Sequence, residues 1–117
     1  MTGSAAQGEV VDTPSGTVPT LFEAIVKMRC VNATWNRDKI VLAPHVIYTR
    51  HGEVFVDAIT VARNGMLPRE AKLGTFKAAG LGDARLSSRT FEVNERFEPD
   101  AERYEGVALM KVEAPRD

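Results

Sequence analysis

Residues 31–62 read VNATWNRDKIVLAPHVIYTRHGEVFVDAITVA, and this stretch decides the fold class. Val31 to Asn36 alternates apolar and polar with period two, the pattern of a half-buried strand with Val31, Ala33 and Trp35 inward. Asn36-Arg37-Asp38 reads as a turn. Lys39 to Ala43 follows as an apolar run that suits a strand covered on both faces. Pro44 has no N–H to give a ladder, so it marks a bend or an edge before Val46 to Thr49 resumes the strand. Arg50-His51-Gly52-Glu53 turns the chain back, with Gly52 free to take positive φ. Val54 to Ala62 is the longest strand candidate, and Asn64-Gly65 is a strong turn signal after it.

Downstream the strands shorten. Met66 to Glu70 contains Pro68 and reads as loop, and Leu73 to Ala78 is a strand with Phe76 at its centre. Ala84-Arg85-Leu86 leads to Thr90-Phe91-Glu92-Val93, where Phe91 and Val93 alternate with polar neighbours. Glu98 to Gly106 suits one helical turn, with Pro99 at its first position and Gly106 after its end. Val107 to Val112 is a final strand.

Upstream, Thr20-Leu21-Phe22-Glu23 reads as a capping box opening a short helix from about Thr20 to Arg29. Leu21, Ile25 and Met28 share one face of that helix, which is too short to stand alone and must rest on the strands. Residues 1–19 are small and polar and read as disordered. The organisation expected is therefore a disordered segment 1–19, a domain 20–97, and an acidic C-terminal segment 98–117 carrying the last strand. One N-terminal helix and about six short strands, with turns every eight to twelve residues, predict a mainly β domain built as a small barrel or sandwich.

With 117 residues, 44% of them hydrophobic, the chain supports one core. No apolar run reaches the roughly 18 residues of a membrane helix. The first sixteen residues lack the basic and apolar regions of a secretory signal. Cys30 is the only cysteine, which excludes an internal disulfide and a cysteine-based zinc site. A cytoplasmic protein without membrane contact is the expectation. The net charge of −1 excludes a strongly basic nucleic-acid binder. Charge is unevenly spread, however: residues 63–96 carry seven bases against four acids, and residues 97–117 three bases against six acids. The middle third is where an anion would be welcome, unless its bases are a solvated face paired with Glu70, Asp83, Glu92 and Glu95.

No catalytic constellation emerges, and neither a cofactor nor a metal is expected. His45 and His51 have no acidic cluster beside them and no third ligand nearby, so each reads as a packed or surface imidazole. Cys30 lacks a CxxC partner and reads as a small buried residue at a helix end. Gly80-Leu81-Gly82 is too short, and wrongly placed, for a phosphate loop. Asp57, inside an apolar strand, is the oddest placement, and a solvent-facing side chain is expected there. Trp35, Tyr48, Phe55 and Phe76 fall at strand spacings, so most belong to the core. One or two exposed rings would serve as a stacking surface for bases.

From Leu21 onward the chain resembles the WYL domain of bacterial transcriptional regulators. The likeness rests on the helix followed by Cys30 to Trp35, on Leu42 to Tyr48 leading through His51-Gly52 into Val54-Phe55-Val56, and on Thr75 to Leu81 with Asp83 to Leu86 and Arg89 to Phe91. It covers about residues 20–97. It implies a small SH3/Sm-like β-barrel of five strands with a helix packed on it. It also implies a non-enzymatic domain that senses nucleic acid or a nucleotide-like anion through basic side chains. On that resemblance Lys77 is the chief ligand contact, Lys72, Arg85 and Arg69 its basic neighbours, and Phe55 or Phe76 a stacking plane. The chain departs from the family at Val54, Phe55 and Val56, which lack the Trp and Tyr. It departs again at Gly80, where the family has a second Arg, and at Gly74, where a base often stands.

Two functions follow. One is a stand-alone regulatory domain binding a nucleotide or a short single-stranded nucleic acid through a local basic face. The other is an interaction module with a degenerate ligand site, pairing with another protein or with itself through a strand edge. They differ in whether Lys72, Lys77 and Arg85 converge on one concave face without acidic partners.

Overall fold

The computed structural model of the chain describes residues 16–113. The elements run α1 (Thr17–Lys27), β1 (Arg29–Trp35), β2 (Asp38–Arg50), β3 (Glu53–Arg63), β4 (Leu73–Lys77), a 3-10 turn (Ala78–Gly80), β5 (Gly82–Thr90), a second 3-10 turn (Glu102–Tyr104) and β6 (Ala108–Lys111). All strand pairs are antiparallel, in the order β4-β3-β2-β1-β5, with β6 added to β2. The mainly β domain with one N-terminal helix packed on it is thus as expected, and the architecture is consistent with a small SH3-like barrel.

Three tight turns shape the sheet. Asn36 and Arg37, His51 and Gly52, and Asn64 and Gly65 all have positive φ. Consecutive left-handed residues give the turn whose twist matches that of the flanking strands. Asn64 also joins two turns: its Oδ1 accepts from the Lys39 N–H at 2.9 Å, and its Nδ2 donates to Asp38 at 3.0 Å.

Pro44 lies within the long strand β2 and is buried. The register explains how. Pro44 pairs with Ala58 and Val46 with Asp57, so His45 is an extra residue, a β-bulge. On its other edge β2 binds β1 through Asp38 to Leu42, then β6 through Val46 to Tyr48. Pro44 stands where one neighbour ends and the next has not begun, so its missing N–H costs no ladder bond.

The helix begins at Thr17, three residues before the expected start, and Thr20 and Glu23 form no capping box. Gly16 is the N-cap without a side-chain bond. The Thr20 hydroxyl donates back to the Gly16 carbonyl at 2.7 Å, and Glu23 pairs with Lys27 at 2.6 Å. Starting earlier places Pro19 in the first turn, where an N–H has no partner to lose. Thr20, Leu21, Ala24 and Ile25 form the buried stripe of the helix. Of the expected disordered segment, Gly16 is thus the cap and residues 17–19 are helical, and residues 1–15 lie outside the described residues.

The C-terminal segment belongs to the same core. Phe97, Tyr104 and Val112 are buried with Leu21, Val31, Ile40, Leu42, Ile47 and Val56. The expected helical turn is a short 3-10 turn at Glu102–Tyr104 rather than one opening at Pro99. The alternation at Thr90 to Val93 is not strand either: β5 ends at Thr90, and Phe91 and Val93 pack on the core from the following loop. Among the described residues, no helix is long and apolar enough to cross a membrane.

Candidate functional site

Of the seven bases of residues 63–96, Arg63, Lys72, Lys77 and Arg85 each meet a carboxylate, at separate places. Lys77, at the end of β4, pairs with Glu53 at 3.0 Å across the β3–β4 register. Lys72 pairs with Glu70 at 3.4 Å in the loop before β4. Arg85 meets Asp83 at 3.2 Å on β5. Arg69 is exposed in the β3–β4 loop. Lys77 lines a groove of about 510 Å³ with Thr17, Val18, Pro19, Glu53, Val54, Ala78 and Ala79. Arg85 lines a different hollow, on the sheet between β1, β2, β3 and β5. Exposed ion pairs of this kind contribute at most about 1 kcal/mol each. They nevertheless place a carboxylate beside each of Lys72, Lys77 and Arg85.

Neither expected stacking ring is free. Phe76 is buried and meets Trp35 edge-on, with centroids 5.1 Å apart at 83°. Phe55 is half-buried and stacks on Tyr48 at 6.0 Å, and the Arg50 guanidinium lies 5.7 Å over Tyr48 and 5.9 Å over Phe55. Gly80, where the WYL resemblance led to an arginine, is set by packing: a Cβ there would stand 2.7 Å from the Trp35 ring. Gly80 leaves room for Trp35, and any side chain at position 80 displaces it.

The most concentrated polar chemistry surrounds Asp57, whose expected exposure is overturned. It is 1% exposed. Oδ1 accepts from the Tyr48 hydroxyl at 2.8 Å and the Thr75 hydroxyl at 2.7 Å. Oδ2 accepts from the Tyr104 hydroxyl at 2.6 Å and pairs with the Arg103 guanidinium at 2.9 Å. Arg103 also donates to the Tyr104 oxygen at 2.8 Å. Alternation along β3 does not govern here, because the chain beyond β5 folds back and covers this face. Burial, then the hydrogen bond to Asp57, pushes the Tyr104 hydroxyl up to about 12. Burial also raises Tyr48. Both phenols stay protonated as donors, so this is a satisfied anchor, not an acid–base pair.

His45 is a second buried polar centre, fully enclosed as one of the two expected alternatives had it. Nδ1 lies 2.8 Å from the Ala43 carbonyl, and Nε2 accepts from the Asn94 backbone N–H at 3.0 Å. This pattern fixes the neutral tautomer with the proton on Nδ1. Desolvation holds its pKa below the usual imidazole value, against the opposing bond to Ala43. Cys30 is buried beside Ala43, Ile59 and Phe91, and burial raises its thiol pKa. Among the described residues no group of three or more His, Cys, Asp or Glu could hold a metal ion.

The arrangement defines a small, mainly β domain with internally satisfied polar anchors, paired surface bases and an apolar groove. Comparison of the chain with family models, with curated proteins and with solved structures gives no match.

Proposed function

We propose that the chain is a non-catalytic interaction module, a WYL-like barrel that takes an extended apolar segment of another protein at the open edge of β4. The observation that carries this reading is the pairing of Lys72, Lys77 and Arg85 with Glu70, Glu53 and Asp83, at separate places. A polyanion would have to displace a carboxylate at each one. β4 ends the strand order and leaves one edge open to an added strand. At its C-terminal end lies the groove of Val18, Pro19, Val54, Ala78 and Ala79, which would receive a side chain of the incoming segment. Backbone bonding to β4 supplies register, and the apolar groove supplies selectivity.

One observation favours the anion-binding alternative. Lys77 shares that groove with the first turn of α1, whose free N–H groups favour negative charge. A titration separates the two readings. Peptides selected from a random library against the full chain should be apolar and extended. They should perturb the amide signals of Val54, Lys77 and Ala79, and lose binding in Ala79→Glu with little dependence on salt. Labelled single-stranded DNA that binds at micromolar concentration or tighter, fades with salt and is lost in Lys77→Glu would replace this reading with the anion sensor.

A further inference from the structure

His45 holds both ends of one segment. Its ring Nε2 accepts the Asn94 N–H at 3.0 Å, and its carbonyl accepts the Val112 N–H at 2.8 Å. Between those two bonds the chain runs through Phe97, the Tyr104 anchor and β6, and then returns to the strand it left. The bulge in β2 makes this possible, because the extra residue frees His45 from the ladder with β3.

We propose that His45 is a proton-operated latch for the segment 94–112, which opens on acidification and uncovers the Val46 to Tyr48 edge of β2. A proton arriving at Nε2 turns the acceptor into a donor facing the Asn94 N–H. The bond becomes a contact between two donors, and the charge has nowhere to go. Phe91 stacks on the ring at 5.3 Å, Phe97 meets it edge-on at 5.2 Å, and its other nitrogen is engaged by Ala43. The titratable side chains on the surrounding core elements are Cys30 on β1, Tyr48 on β2, Asp57 on β3 and Tyr104 within the segment. None bonds to the ring: Tyr48 and Tyr104 are committed to Asp57, and Asp57 to Arg103. Glu92, Glu95, Arg96 and Glu113, which flank Phe91, Asn94 and Val112, are exposed, Lys111 on β6 is half-buried, and none of them bonds to the ring. No carboxylate is therefore placed to rescue the imidazolium.

The cheapest response is local. β6 spans four residues and pairs only with Val46 to Tyr48, whereas β2 and β3 are joined along their whole length. Releasing the segment frees the ring at the cost of the Tyr104 and Arg103 bonds to Asp57, while the β1–β2 and β2–β3 ladders involve no residue of the segment and stay paired. Coupling one proton to opening makes the open population rise by as much as about tenfold per pH unit below the ordinary imidazole range.

The test is amide hydrogen exchange of the full chain from pH 7.5 to 5, corrected for intrinsic rates. Asn94 and Val112 report the latch, and Ala33 and Ile40, which face each other across the β1–β2 ladder, serve as the reference. Protection of the first pair should fall with acid while the second holds, and in His45→Gln the difference should be flat. A reference pair that falls in step, a flat wild-type profile, or the same slope in His45→Gln would overturn the latch. If His45→Gln does not fold, the wild-type imidazole shifts decide. The ring must titrate over the same pH interval in which Asn94 and Val112 lose protection, and a ring that titrates while both stay protected also overturns the proposal.

Discussion

Tyr104 donates its hydroxyl to the Asp57 carboxylate at 2.6 Å across 47 residues of sequence, with both side chains 1% exposed. The bond ties the last part of the chain to the middle of β3. A buried carboxylate without partners costs several kcal/mol, so each donor matters more than an exposed ion pair does. Tyr104→Phe should lose about 1.5–3 kcal/mol of unfolding free energy, the usual worth of a bond to a charged group. Arg103→Met should lose less, because Arg103 is half-exposed and its pairing is screened. Denaturant melts of the two variants check the order.

The same anchor fixes the alkaline limit. The Tyr104 pKa is raised by folding from the ordinary 10.0 to about 12, so the folded state holds the proton more tightly than the unfolded state. The contribution is complete below pH 10 and declines as pH rises from there towards 12. Urea melts between pH 9 and 11.5 should show stability falling with pH, and Tyr104→Phe should flatten that decline.

Gly80→Arg would add a base to the middle third but should not create an anion site. Its Cβ meets Trp35 at 2.7 Å, and Trp35 is wedged against Phe76. Gly80→Ala should already cost about 1–3 kcal/mol by overpacking. Loss of Trp35 near-ultraviolet circular dichroism, together with a lower melting temperature, would report the displaced ring.

The acidic C-terminal segment is part of the core. Deleting residues 98–117 takes away Tyr104, Val112 and β6, and leaves Asp57 buried without two of its donors. The truncated chain should melt well below the full chain. A cooperative melt like that of the full chain would refute this.

Glu23→Ala should cost only about 0.3–0.5 kcal/mol, the value of its exposed pair with Lys27. A true capping box would cost about twice that. A thermal melt of the variant distinguishes the two.

The local patterns were legible because they depend on neighbours in sequence. Period-two alternation at Val31 to Trp35, the long run Val54 to Ala62, and the turns at Asn36, Gly52 and Gly65 all form where the residues place them. Twist and side-chain alternation are properties of a few consecutive residues. The helix was legible in its apolar face but not in its start, because Thr20 and Glu23 satisfy a motif that Pro19, one residue upstream, overrides. The site was the least legible part. The bases of residues 63–96 are visible in the sequence, but whether Lys77 meets Glu53 depends on the β3–β4 register. Asp57 and His45 carry the decisive chemistry, yet nothing beside them in sequence distinguishes a buried anchor from a surface polar group. Tyr48 and Thr75 reach Asp57 from neighbouring strands, and Arg103, Tyr104, Asn94 and Val112 arrive only when the C-terminal segment docks on β2. Desolvation and pairing act through space. The strands were therefore written in the sequence, while the placement of charge, the anchoring of Asp57 and the neutrality of His45 were decided by the tertiary fold.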